Sequence, residues 1–276
     1  MICAWDKLLR VLPARIRDEV NKYGAEAMQE LRLRLDKPPL LCIRKERQEL
    51  SGLVKQEDLD YVINVASNYS PWTASTISKG YLTADGGHRI GLCGEAVMKN
   101  GQMEGVKKVT SVNIRVARDF PGISERIKNI HGSVLLIGPP GSGKTTLLRD
   151  LIRCVAKNDN VAVVDERGEL FPTGCFEMGA GMDILAGCAK DKGIEMLLRT
   201  MGPEWIAVDE VTSPCDCDAL IQAGWCGVKL LATAHALHMQ DMKSRQLYRQ
   251  LLKSGHFSTV CVLQPDQTYY LERLSL

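Results

Sequence analysis

The sequence predicts an α/β protein whose C-terminal part is a parallel sheet with helices on both faces, preceded by a smaller mixed α/β part. Two observations carry this. From about residue 120, apolar runs of strand length alternate with helix-patterned segments, as parallel strands joined by crossover helices require. Before that point, glycine-punctuated turns separate short β-rich runs, the pattern of successive hairpins. At 276 residues the chain is long enough for two cores, and the division falls near "RDFPGISERI", giving parts 1–120 and 121–276.

In chain order, "WDKLLRVLPARIRDEVNKYG" has helical periodicity and stops at Gly24. "MQELRLRLDKPPLLCIRK" sets Leu31, Leu33 and Leu35 against Arg32 and Arg34, the period of a strand. A second helical segment, "QEDLDYVINVASNYS", leads into residues 80–119, where "DGG" and "NGQ" mark the turns. Strand and helix patterns then alternate through "SVLLIG", "GKTTLLRDLIRCVAK", "VAVVDE", "GIEMLLRTMG", "WIAVDE" and "KLLATAHA".

Bulk properties exclude several classes. With 45% hydrophobic residues, 25% charged and a net charge of +2, the chain reads as an ordinary soluble protein without the overall electrostatic footprint of a nucleic-acid binder, although a local basic face stays compatible with it. Ten cysteines are scattered from Cys3 to Cys261 without a signal peptide, which predicts reduced, buried thiols in a cytosolic protein. Cys215 and Cys217 lack the paired spacing of zinc sites and read as structural. No apolar run approaches the ~20 residues of a membrane span, so any membrane connection runs through a partner or a surface.

"GPPGSGKT", residues 138–145, fits the phosphate-loop pattern G-x-x-x-x-G-K-[ST]. Gly138, Gly141 and Gly143, with Pro139, Pro140 and Ser142 between them, let the backbone curl so that N–H groups face inward. The helix starting near Gly143 adds its positive end, with Thr146 in its first turn. Lys144 would reach terminal phosphates and Thr145 would hold Mg²⁺. The other reading is a plain glycine-rich turn; an apolar strand before and a helix after favour the phosphate loop.

"WIAVDE" ends an apolar strand in two carboxylates with separable tasks. Asp209 would sit behind Mg²⁺ through water, and Glu210 would polarise water for in-line attack on the γ-phosphate. Read without the phosphate loop, these are two solvated acids at a strand end. In chain order "VAVVDE" lies between the phosphate loop and Asp209. That interposed strand, with a Glu beside the metal-site Asp, resembles the additional-strand, catalytic-glutamate division of phosphate-loop ATPases. At the tip of "VAVVDE", Asp165, Glu166 and Arg167 read either as surface ion pairing or as positioning of water or metal. His235 ends the next strand and should emerge at the same carboxyl edge, where it could hydrogen-bond a phosphate oxygen or the catalytic water as a nucleotide sensor. A metal role is weak, because His238 follows three residues on without an acidic partner nearby.

The set "GPPGSGKTT", "VVDERGEL", "LLRTMGPEWIAVDEV" and "LLATAHA", with "GYLTADGGHRIGLCGEAV" and "SVNIRVARDFPG" upstream, resembles the stage III sporulation protein AA family over nearly the whole chain. That family belongs with the type II and type IV secretion ATPases. The resemblance implies an N-terminal α/β domain joined to a RecA-like phosphate-loop ATPase domain, ATP and Mg²⁺ as ligands, and a homo-oligomer in the form of a hexameric ring. It assigns Glu210, Lys144, His235 and Glu166 to catalysis and Thr145 and Asp209 to Mg²⁺, and it makes Arg89, Arg115, Arg118 and Arg199 candidates for contacting nucleotide. It further implies a cytoplasmic motor, peripheral at the inner face of the membrane on the mother-cell side, acting on membrane proteins of a channel to the forespore, with no nucleic acid involved. Relative to the long secretion ATPases the N-terminal part is short, the histidine box is clipped and the four-cysteine zinc module is missing. The alternatives are a RecA-like nucleic-acid-stimulated ATPase or translocase, and a nucleotide-binding scaffold in which hydrolysis is incidental.

Overall fold

The alternation of Leu31, Leu33 and Leu35 becomes one of two central strands in an antiparallel sheet, and the apolar runs of the C-terminal half become a second, mainly parallel one. The computed structural model describes residues 1–43, 46–67, 80–125, 127, 132–172 and 175–274. The chain packs as two units: Met1–Asp119 with Pro172–Phe176, and Phe120–Phe171 with Glu177–Leu276.

In the first unit, the opening helical stretch is two helices, α1 (Trp5–Val11) and α2 (Ala14–Val20). Pro13 separates them, because its ring clashes inside a helix while its fixed φ suits the position just before one. Gly24, the expected stop, instead opens the short α3 (Gly24–Ala27). Next come β1 (Met28–Arg34), β2 (Leu40–Ile43), β3 (Glu46–Glu49), α4 (Gln56–Ala66), β4 (Tyr81–Thr83), β5 (Arg89–Lys99) and β6 (Gln102–Arg115). Residues 44, 45 and 68–70 of the stretches read from sequence lie outside the described residues. The sheet order is β3-β2-β1-β6-β5-β4 with every pairing antiparallel, and the "DGG" and "NGQ" turns join β4 to β5 and β5 to β6. Period-2 alternation turns Leu31 and Leu33 into a core that Leu8, Ile16 and Leu59 of the helices share.

The second unit contains β7 (Ser133–Gly138), α5 (Lys144–Val155), β8 (Val161–Asp165), β9 (Met182–Ala186), α6 (Lys190–Thr200), β10 (Trp205–Val208), α7 (Pro214–Trp225), β11 (Lys229–His235), α8 (Met239–Ser244), α9 (Gln246–Lys253), β12 (Phe257–Leu263) and β13 (Tyr269–Arg273). The sheet order is β13-β12-β7-β11-β10-β8-β9, parallel throughout except for β13. Every residue of β7, β8 and β10 is buried, as strands covered on both faces require. Alternate residues such as Ile137, Val164, Val208 and Ala234 share one core with α6, α7 and α9. Gly193 lets α6 approach β8 closely, since an added Cβ would lie 2.5 Å from Val164 Cγ1. In space, the strand that separates β7 from β10 is β11 and not the "VAVVDE" strand that intervenes in chain order.

Asp150 on α5 is buried, and its carboxylate accepts from Gly122 N (3.0 Å), Ser124 N (2.8 Å) and Ser124 Oγ (2.8 Å), fixing residues 122–124 to the helix. Burial pushes this carboxyl up, but the hydrogen bonds from Ser124, Gly122 and Arg153 together hold it below the ordinary carboxylate range. A carboxyl depressed in the folded state stabilises the fold above its unfolded pKa of about 3.9, and that contribution is lost as pH falls toward the folded value. Asp150→Asn should therefore lower the urea unfolding free energy by about 2 kcal/mol at pH 7 and show a smaller stability loss than the wild type between pH 5 and pH 3.

Candidate active site

The carboxyl ends of β7, β10 and β11 lie side by side, and the register sets Gly138 level with His235 and Val208 level with Ala232. The loop leaving β7 turns back on itself through Ser142 N donating to Pro139 O (3.3 Å), with Gly141 at φ +77 and Gly143 at φ +94. Both glycines face open space where a Cβ would stand, and the left-handed backbone there suits glycine. Pro140 is exposed at the tip, Thr146 is half-buried in the first turn of α5, and the buried Ser142 hydroxyl has no hydrogen-bond partner among the described residues.

Lys144 folds into this loop. Its ammonium donates to Gly138 O and Pro139 O, both at 2.9 Å, and lies 3.2 Å from His235 Nδ1. Burial pushes this ammonium down in pKa, and the nearby Asp209 and Glu210 work against that. Thr145 Oγ1 donates to Asp209 Oδ2 at 2.7 Å, so the hydroxyl and carboxylate expected to share a cation are in contact. Among the described residues no cluster of three or more His, Cys, Asp or Glu could hold a metal ion. One hydroxyl and one carboxylate beside the glycine loop fit Mg²⁺, which keeps several waters and takes phosphate oxygens as ligands where they are present. The orphaned Ser142 hydroxyl and the open space beside Gly141 and Gly143 fit an anion with acceptor oxygens.

Thr233, which the sequence gave no reason to single out, joins the two acids. Its hydroxyl donates to Asp209 Oδ1 (2.5 Å) and accepts from Glu210 N (2.7 Å). Glu210 stands at φ +57, a conformation disfavoured for any residue with a Cβ and held here by that hydrogen bond. Its Oε1 lies 2.9 Å from His235 Nε2, and its Oε2 pairs with Arg167. His235 thus stands between an ammonium and a carboxylate. An ammonium only donates and a carboxylate only accepts, which assigns the proton of the neutral ring to Nε2.

The "VVDERGEL" residues divide. Asp165 is no surface ion pair: it is buried, and its oxygens accept from Glu169 N, Leu170 N and Phe171 N at 2.9–3.0 Å. Burial pushes its carboxyl up against the pull of those three N–H groups. Glu166 pairs with Lys190, a buried lysine at the start of α6 that sequence reasoning missed. Asp165, Glu166, Arg167, Lys190, Asp209 and Glu210 line one small cleft.

The remaining candidates have these local surroundings. In the first unit, Arg115 is exposed at the end of β6, Arg89 stacks over the Tyr81 ring at 4.5 Å, and Arg118 donates to Ala25 O and Met28 O. Arg199 pairs with Glu195 on the exposed face of α6. His238 accepts from Asp241 N as the N-cap of α8. Cys215 is exposed on α7, whereas Cys217 is buried, which pushes its thiol up to about 12.

The fold is shared with solved structures of a pilus motor and of an ATPase. The chain is similar to the pilus retraction motor PilT solved with bound ADP, with a TM-score of 0.63 at 14% identity over 95% of this chain and 83% of that one. It is also similar to the ATPase DotB of Legionella pneumophila, with a TM-score of 0.59 at 15% identity over 95% and 81%. The family model for sporulation stage III, protein AA matches residues 4–269, and the chain belongs to that family. Identity to stage III sporulation protein AA of Bacillus subtilis (strain 168) is 33% over 273 residues, covering 91% of this chain and 88% of that protein.

Thr233→Val keeps the shape but leaves Asp209 Oδ1 and Glu210 N each without this partner. Chemical denaturation should show a loss of about 1–3 kcal/mol, and an unchanged unfolding midpoint would contradict the role given to the hydroxyl.

Proposed function

We propose that the chain is a Mg²⁺-dependent ATP hydrolase with a RecA-like domain over 121–276 and an N-terminal α/β domain over 1–120. The observation that carries this is one connected set of contacts: Lys144 with His235, His235 with Glu210, and Asp209 with both Thr145 and Thr233. It gathers a phosphate-seeking ammonium, a candidate base and a candidate metal pair at one sheet edge. Mg²⁺ held by Thr145 and Asp209 would neutralise phosphate oxygens and align them for displacement.

The chain's own groups do the rest. Lys144 exchanges its carbonyl partners for phosphate oxygens, and the N–H groups around Gly141, Ser142 and Gly143, with the first turn of α5 at Thr145 and Thr146, surround the anion. Glu210 accepts a proton from the water whose oxygen bonds to the γ-phosphorus as the bond to the ADP oxygen breaks. His235 keeps the carboxylate aimed and couples it to Lys144, while Glu166 braces the loop beside it. Among the candidate arginines we assign Arg115, exposed at its strand end, to a nucleotide in an assembled ring; Arg118 donates to carbonyls of its own unit.

Family membership supports the cellular reading: a peripheral cytoplasmic motor, assembled as a hexamer, that acts without nucleic acid on membrane proteins of the channel between mother cell and forespore. No helix among the described residues is long and apolar enough to cross a membrane. The test is ATP turnover per subunit with Mg²⁺ and no nucleic acid, over a wide range of protein concentration. Turnover should rise with concentration and fall about 10²–10⁴-fold in Glu210→Gln. Full activity in that variant would remove the assigned base, and activity appearing only with single-stranded nucleic acid would favour a translocase.

A further inference from the structure

Two consecutive side chains after β8 pair in different directions. Glu166 reaches Lys190 at the start of α6, and Arg167 reaches Glu210. The first link is enclosed at its lysine end: Lys190 is 5% exposed against 35% for Glu166, and its ammonium is also 4.0 Å from Asp216, which caps α7. The second is open, with Arg167 44% and Glu210 26% exposed. Ion pairs open to solvent are weak, so this is the half of the connection that breaks first.

The pairing decides what Glu210 can do. One carboxylate oxygen is on His235 and the other on Arg167. A guanidinium carries only donors and keeps its charge, so it cannot accept a proton on behalf of the carboxylate. While Arg167 holds Oε2, a cation occupies the direction from which that oxygen would receive a water. The backbone offers no relief, because Glu210 N is fixed to Thr233. A change in the side-chain pairing is what clears that direction of the cation.

We propose that Arg167 is a latch on Glu210, holding the carboxylate in a resting position until movement of α6, transmitted through Lys190 and Glu166, withdraws the loop. The proposal rests on the assignment of Glu210 as the base. Arg167 is a positioning residue, and its effect passes through Glu210. It follows that the resting protein turns over ATP below its capacity, and that a partner acting on α6 would raise the rate.

The test is steady-state ATP hydrolysis by the full chain in the wild type, Arg167→Ala, Arg167→Gln, Arg167→Lys, Glu210→Gln and the double variant Arg167→Ala with Glu210→Gln. The two neutral substitutions should raise kcat about two- to fivefold with KM for ATP within about 1.5-fold, the scale of losing one partly exposed ion pair. Arg167→Lys, which keeps the charge, should stay near the wild type, and the double variant should match Glu210→Gln. A kcat that stays level or falls in both neutral variants, with Glu210→Gln still impaired, overturns the latch and leaves the base assignment standing. A Glu210→Gln rate equal to that of the wild type overturns the base assignment, and the latch with it.

Discussion

From within β11, the Thr233 hydroxyl reaches both acids that follow β10, accepting from the backbone of one and donating to the side chain of the other. That is possible because β11 is inserted between β7 and β10, so that one strand touches both the glycine loop and the acidic pair. Two residues further along the same strand, His235 contacts Lys144 on one side and Glu210 on the other. The strand's period of two sets both side chains on one face, and parallel pairing sets His235 level with Gly138 and Ala232 level with Val208, the residue before the acids. Asp209 and Glu210 then differ in geometry: each Asp209 oxygen accepts from one hydroxyl and keeps acceptor capacity, while Glu210, at a positive φ, projects toward His235 and Arg167.

Much of this was legible in the sequence where chemistry and local pattern coincide. The glycine loop announces itself through residue spacing, and the hairpins of the N-terminal sheet through "DGG" and "NGQ". Buried parallel strands are legible as short apolar runs. What pairs with what is not, because strand order is decided by crossovers that leave no mark on a single segment. Chain order thus pointed to β8 as the interposed strand, whereas β11 takes that place in space.

The same limit explains the residues that were missed. Thr233 looks like one polar residue in an apolar strand, and Lys190 like a surface lysine, until long-range packing buries both. Asp165 ends an apolar strand in an acidic pair just as Asp209 follows one, but its carboxylate accepts from three backbone N–H groups, and only the turn after the strand reveals that. The edge strand β9 is short and half-exposed, and the return of Pro172–Phe176 to the first unit has no local signature. In contrast, β12 and β13 could have been read: "FSTVCVL" and "YYLER" flank "QPDQT", an apolar run and an aromatic strand around a turn.

The central claim is that the loop after β7 and the acids after β10 form one site for a Mg²⁺-bound triphosphate. Its most direct test is calorimetric titration of a non-hydrolysable ATP analogue into the protein with and without Mg²⁺, alongside Lys144→Ala and Thr145→Ala. The account predicts one site per chain, tighter binding with Mg²⁺, loss of binding in Lys144→Ala, and loss of the Mg²⁺ effect alone in Thr145→Ala. Binding that ignores Mg²⁺, or survives Lys144→Ala undiminished, would contradict it.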